Sequence, residues 1–210
     1  MEKQRRLKSR YVIGIDPSGA YLEGKGTTGI CLMDCKTLKV IEVSEISAKR
    51  FTDRMEYWDA HLMFIRKILK KHPNNVTVSI EDYLLYQNKL EAQTNSTCET
   101  IQLLGVIKHY CWANAVPLYI RPASFAKTRC NDRVLEFKCG IEPVMHGYCC
   151  PSAATGLLSG HELDAIRHAL FYALLENEQD DYSENDQRNV IPTSAVNHCV
   201  RKRNTAESDG

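Results

Sequence analysis

The sequence predicts an α/β fold, a mixed five-stranded sheet with three antiparallel strands followed by two parallel ones, flanked by helices. Three observations carry this reading. Short apolar runs of strand length alternate with longer segments whose apolar residues recur every three or four positions. The first three strand-like runs are separated only by a glycine-rich loop and a turn, as hairpin-linked strands are. Each later run is separated from the one before it by a helical segment, the connection that parallel neighbours require.

The elements follow in order. Residues 11–16, YVIGID, are almost wholly apolar, which suits a strand buried on both faces. Pro17 pushes Asp16 toward extended geometry and so leaves an acid at the strand end. TTGICLMD and LKVIEVSEI read as two further strands joined by a turn near Asp34–Thr37. Phe51, Met55, Trp58, Leu62, Ile65 and Leu69 are spaced as one stripe of an amphipathic helix over residues 52–71. VTVSIED alternates, with Val76, Val78 and Ile80 on one side, Thr77, Ser79 and Glu81 on the other, and Glu81 at the end. Thr100, Leu104, Ile107 and Cys111 mark a helix over 95–115. Leu103, Val106 and Tyr110 lie beside its core stripe, either widening the core face or left over for a partner. PLYIRP is a short strand, a helix is expected near 131–138, and residues 139–160 show no motif. HELDAIRHALFYALL is the last helix, with Leu163, Ile166, Leu170 and Leu174 as its core stripe.

Composition bounds the function. The 210 residues are 43% hydrophobic and 25% charged, ordinary for a globular domain and unlike a disordered, fibrous or coiled-coil chain. No apolar run reaches membrane-spanning length, and the basic start MEKQRRLKSR has no apolar core behind it, so neither a membrane span nor a secretory signal is expected. The net charge of +1 hides a division. Residues 1–175 hold 23 Lys+Arg against 18 Asp+Glu, whereas residues 176–210 hold 4 against 8. The expected organisation is a basic N-terminal arm (1–10), one folded domain (11–175) and a flexible acidic tail (176–210). Nine cysteines, an odd number without an export signal, read as reduced thiols of a cytoplasmic protein. A zinc site built from Cys139, His146, Cys149 and Cys150 is the sharper alternative, although the paired C-x-x-C spacing is missing.

Three acids fall at the ends of ordered elements: Asp16, Glu81 and Asp164. If the strands bearing the first two are parallel neighbours, their carboxylates are adjacent at the end of the sheet where α/β proteins place their sites. Gathered carboxylates repel one another unless a cation sits among them, and Mg²⁺ (or Mn²⁺) suits all-oxygen ligands that leave room for water and phosphate. Two such ions about 4 Å apart can activate a water and stabilise a leaving oxygen in phosphodiester hydrolysis. Each acid also has a plainer reading. Asp16 fits a turn before proline, Glu81 a solvated strand end, and Asp164 a favourable charge in the first turn of a helix.

GIDPSG at 14–19, TTG at 27–29, SIED at 79–82, LLGVIKHYCWANAVPLYIRPASFAK and HELDAIRHAL at 161–170 together resemble the RuvC family of Holliday-junction resolvases. The resemblance is closest to its phage and low-G+C bacterial branch, where a loop like Glu23–Gly29 follows the first acidic strand. It covers residues 11–175 and rests on the order and spacing of individually weak motifs. It implies an RNase H-like fold, divalent-metal-dependent nicking of branched DNA at a four-way junction, a homodimer with the 95–115 helix as its candidate interface, and a bacterial or phage-infected host cytoplasm. Asp16, Glu81 and Asp164 are then the metal-binding acids, with two ions per site. His161 stands where classical members carry a fourth acid and other RuvC-type nucleases a histidine, as a metal ligand or a base toward water. Lys127 in RPASFAK falls in a basic segment beside the site.

A junction nuclease must grip phosphates on both sides of the scissile bond. The candidates are Lys25, Arg121, Lys127, Arg129 and Arg133, together with Arg5, Arg6, Lys8 and Arg10. Tyr83 and Tyr86 are candidates for stacking on an unpaired base, with packing under the next helix as the alternative. A related nuclease acting on forks, flaps or RNA–DNA hybrids would carry the same acids, and so would a non-catalytic DNA-binding module of the same fold. A nucleotide cofactor is not expected, because GKGTTG departs from the phosphate-loop pattern and 210 residues are too few for a two-domain sugar-kinase or ATPase fold.

Overall fold

The computed structural model of the chain describes residues 9–22, 24–83, 98–153 and 156–188. The chain divides into two units, Met1–Asn177 and Glu178–Gly210, and the sheet and every side chain discussed below belong to the first. The elements are β1 (Tyr11–Asp16), β2 (Thr27–Asp34), β3 (Val40–Ser47), α1 (Arg54–Lys71), β4 (Val76–Asp82), α2 (Glu99–Ala113), β5 (Leu118–Pro122), α3 (Ala123–Arg129) and α4 (Asp132–Cys139). Three short strands, β6 (Glu142–Val144), β7 (Gly147–Cys149) and β8 (Leu157–Leu158), precede the last helix, α5 (Gly160–Arg188).

The main sheet has the order β3-β2-β1-β4-β5. β2 pairs antiparallel with both β1 and β3, and β4 lies parallel between β1 and β5. This is the expected mixed α/β sheet. Asp34 closes the β2–β3 turn by accepting hydrogen bonds from the amides of Lys36 and Thr37, and it holds Arg10 from the start of the domain at 3.0 Å. Arg10 is therefore tied into the fold at the end of the sheet opposite the acids.

Alternation sorts the strand residues onto two faces. Ile13, Ile15, Ile30, Leu32, Val78 and Ile80 pack against α1 and α2. Val12, Cys31 and Met33 pack against Ala165, Ile166, Ala169 and Leu170 of α5 and against Ala126, Cys130 and Leu135 around α3 and α4.

Several expectations need correction. The buried stripe of α1 is Tyr57, Trp58, His61, Ile65 and Ile68, while Met55 is largely exposed. The stripe shifted because Tyr57 and His61 have polar tips that find partners inside, which hydropathy spacing does not register. Leu103 is not left over on α2: it is fully buried in the core, and Val106 and Tyr110 pack partly against that core. Residues 139–160 hold a second, three-stranded sheet of order β6-β7-β8, too short in each strand to show a period. The last helix does not stop at residue 175 but runs to Arg188, through a segment with no glycine or proline to end it. The N-terminal arm through Lys8, Tyr86 and residues beyond Arg188 lie outside the described residues. Among the described residues no helix is long and apolar enough to cross a membrane.

Candidate active site

Parallel pairing of β1 with β4 brings Ile15 opposite Ile80, so Asp16 and Glu81 follow side by side as the strands end. Both point to the α5 face by alternation, since Ile15 and Ile80 face α1 and α2. The third acid depends on how closely α5 approaches. Two strand glycines permit that approach. A Cβ on Gly14 would lie 2.1 Å from the carbonyl oxygen of Ala165, and one on Gly29 would lie 1.9 Å from that of His161. Only a bare backbone fits at either position. The start of α5 is fixed by a reciprocal cap. The Ser159 amide donates to Glu162 at 2.9 Å, and the Glu162 amide donates to the Ser159 hydroxyl at 3.2 Å.

The helix turns one row of side chains over the strand ends. His161 Nδ1 lies 2.8 Å from Asp16 Oδ2. His168 Nε2, almost wholly buried, lies 3.1 Å from Glu81 Oε2. Asp164 sits between them and is gripped by two cations: Lys127 Nζ of α3 at 2.8 Å from Oδ2, and Arg167 on Oδ1. Arg167 in turn reaches Asp132 of α4.

The charges of Glu81 and Asp164 both reach Asp16. Burial raises the Asp16 carboxyl above its ordinary value. The hydrogen bond from His161 opposes that, while the negative charges of Glu81 and Asp164 add to it. His161 is shifted up, chiefly by its bond to Asp16. Lys127 is shifted up by its bond to Asp164 and also feels Glu81 and Asp16. Carboxylates gathered at one strand end have the donor chemistry a hard divalent cation satisfies. As they stand, the acids are paired with basic side chains. Among the described residues no three His, Cys, Asp or Glu side chains are grouped as a ready metal-ligand cluster. That statement also covers the zinc alternative at Cys139, His146, Cys149 and Cys150. His146 is exposed on the β6–β7 turn, and burial pushes the Cys139 thiol up to about 12.

The basic candidates divide. Lys127, on α3, and Arg133, on α4, line a shallow depression with Asp132, Asp164 and Arg167 beside the acids. Arg129 is exposed at the end of α3, and Lys25 is exposed in the loop between β1 and β2, at the same end of the sheet as the acids. Arg121 is in register with Glu81 but stacks on Tyr119, 4.7 Å from its ring centroid. Tyr83 packs partly against the α1–α2 core.

Sequence reasoning missed His168, Arg167 and Asp132. A signal was present for the first: positions 161, 164 and 168 lie on one helical stripe, so a histidine seven residues after His161 faces the same strand ends. Nothing local in the sequence marks Asp132, which is joined to α5 only by the tertiary fold.

No protein-family model matches the chain, and no curated protein matches it. Among solved structures it is similar to T. thermophilus RuvC in complex with a Holliday junction substrate, with a TM-score of 0.55 and 15% sequence identity. The likeness covers 80% of this chain and 95% of that one. It shows that the two share a fold, the RNase H-like α/β arrangement of a mixed five-stranded sheet and flanking helices.

Proposed function

We propose that this chain is a divalent-metal-dependent, structure-selective DNA endonuclease, a Holliday-junction resolvase that nicks branched DNA in pairs as a homodimer in the cytoplasm. The observation that carries the reading is the convergence of Asp16, Glu81 and Asp164 from β1, β4 and α5 at one end of a sheet shared with a junction-binding protein. Asp16, Glu81 and Asp164, with His161, are the residues that would hold Mg²⁺ or Mn²⁺. Two bound ions would supply activation of water and stabilisation of the leaving 3′ oxygen.

The chain's own groups account for the rest. His161 presents Nδ1 to Asp16, which leaves Nε2 as the atom to bind an ion or take a proton from water. Lys127 is half exposed, so its ammonium can exchange Asp164 for a substrate phosphate oxygen. Arg129, Arg133, Arg121 and Lys25 border the same end of the sheet and supply the positive surface a duplex arm needs without reading its sequence. A four-way junction has approximate two-fold symmetry, so paired nicks call for a two-fold dimer.

The test is cleavage of a synthetic four-way junction, a flap, a fork, a linear duplex and an RNA–DNA hybrid, each with Mg²⁺, Mn²⁺ or chelator. Symmetric nicks confined to the four-way junction are expected, abolished by chelation and by Asp16→Asn while junction binding persists. Cutting by Asp16→Asn in Mg²⁺ would overturn the mechanism. Preference for a flap, fork or hybrid would keep the chemistry and replace the substrate.

A further inference from the structure

Glu81 has a longer reach than the other two acids. An aspartate carboxylate hangs on one methylene and a glutamate carboxylate on two, so Glu81 has one more torsion to fix. Its hydrogen-bond partner is placed to fix it. His168 Nε2 lies 3.1 Å from Glu81 Oε2, and the His168 side chain is only 2% exposed. An ionised carboxylate accepts and does not donate, so Nε2 carries the proton of this bond. The ring is too enclosed to meet a phosphate or bulk water. The His161 side chain, seven residues earlier on the same stripe, is 49% exposed.

The ring also has a fixed base. Gly14 and Ser79 stand opposite one another in the β1–β4 register. Bare Gly14 admits the α5 backbone at Ala165 and Ala169. Beside it, the buried hydroxyl of Ser79 donates to the His168 carbonyl at 2.9 Å. Ser79 and Glu81 are two apart on one strand, so both face α5. Residue 79 of β4 therefore anchors the histidine's backbone, and the histidine's ring anchors residue 81.

We propose that His168 is a positioning residue: its buried Nε2–H holds one oxygen of Glu81 and so fixes the direction in which the carboxylate meets a divalent cation. This rests on the nuclease reading for what Glu81 holds, while the positioning rests on the bond itself. It divides the two histidines of the stripe. His161 is open to solvent and substrate, and His168 acts only through Glu81. Hydrogen-bond partners behind a metal ligand are worth about ten- to a hundredfold in metal affinity or activity when removed.

Two experiments on the full-length chain test this. The first needs neither metal nor substrate. Urea midpoints are measured for Glu81→Ala, His168→Leu and the double variant. The double shift should fall short of the sum of the single shifts, because the second substitution has no bond left to break. Additive shifts overturn the proposal. The second experiment titrates Mn²⁺ alone by calorimetry and follows four-way-junction nicking with kcat and KM separated. His168→Gln places an amide N–H near the position of Nε2, whereas His168→Asn carries the same group one methylene short of Glu81. The Asn variant should bind Mn²⁺ about tenfold more weakly and lose about tenfold in kcat, with KM for the junction unchanged. The Gln variant should recover most of both. Leu170→Ala truncates an apolar core side chain of the same helix and should lower the urea midpoint while leaving Mn²⁺ affinity as in the wild type. Equal Mn²⁺ affinity in the Gln and Asn variants overturns the proposal. So does an equal loss in Leu170→Ala, which would make the effect one of stability alone. If the unsubstituted chain binds no Mn²⁺ and cuts no branched DNA, the nuclease reading falls, and the urea cycle alone decides whether His168 holds Glu81.

Discussion

The two faces of the main sheet each hold histidines, and they treat them in opposite ways. On the α1 face His61 is fully buried, with Nδ1 2.8 Å from the Tyr57 carbonyl and Nε2 2.9 Å from the Thr28 hydroxyl. Both partners are neutral, so burial pushes its pKa down to about 4 and the ring stays uncharged. On the α5 face His161 meets the carboxylate of Asp16 at 2.8 Å and is shifted up instead. The ring is the same, and what decides its charge is whether an anion stands within hydrogen-bond reach. The α1 face is built for rigidity. Thr28 accepts the Ser18 amide and Tyr57 donates to the Ser18 carbonyl, which fixes the loop that follows Asp16. The α5 face gathers charge.

The contrast breaks most completely at Asp16. Asp16→Asn should abolish nicking, and it should also make His161 resemble His61, because the anion that raises it is gone. An NMR titration of the ring protons checks this, with the His161 midpoint expected to fall. A midpoint that stays put would mean that Glu45 or Asp164, the other acids it feels, had set it all along.

The close approach of α5 is the next point of leverage. Gly14→Ala places a methyl group against the backbone of Ala165 and Ala169, where nothing flexible can yield. The cost expected from overpacking is about 3 kcal/mol. Because α5 carries His161, Asp164 and His168, nicking should fall by more than the stability loss explains. Denaturant unfolding and cleavage of the same preparation measure the two effects together.

Legibility followed the same division. Strands β1, β2 and β4 were readable because apolar runs and alternation are local, and their ends delivered Asp16 and Glu81. The helix bearing Asp164 was readable from its stripe, and His161 from its place three residues before. The grip on Asp164 was legible only in part: Lys127 was named beside the site and Arg167 stands three residues after Asp164 on one helix, whereas Asp132 comes from another helix whose packing no spacing records. The burial of His61 was missed for the complementary reason. A polar ring counts as exposed until its partners, Thr28 and the Tyr57 carbonyl, are known. The second sheet escaped because its strands are only two or three residues long.

The pH dependence of stability should report the α1 face. His61 has a folded pKa of about 4 against about 6.5 when unfolded, so the unfolded chain binds the extra proton in that interval. Stability from this residue is complete above pH 6.5 and is lost as pH falls toward 4, by about 3 kcal/mol in all. His161 works with the opposite sign. Its contribution is present below about pH 6.5 and is lost as pH rises through its raised folded value. His61→Gln should therefore flatten the acid limb of the stability profile, whereas His161→Gln should flatten only the limb above 6.5.

The smallest effect sharpens the comparison at glycine. Gly14 lies in a strand against α5, while Gly105 lies on the solvent side of α2, where an added Cβ meets nothing within 4 Å. Its backbone is helical, so alanine there relieves the conformational freedom that glycine loses on folding and should stabilise the chain by about 1 kcal/mol. The same substitution thus has opposite signs on the two faces, set only by what stands opposite the missing side chain. Gly105 also borders a groove with Leu62, Val106 and Tyr110, on the helix that the resemblance offers as a dimer surface. If Gly105→Ala stabilises the isolated chain but weakens its self-association in sedimentation, the open space beside α2 is filled by a second copy. If it stabilises the chain and leaves association unchanged, copies of the chain do not meet on this groove.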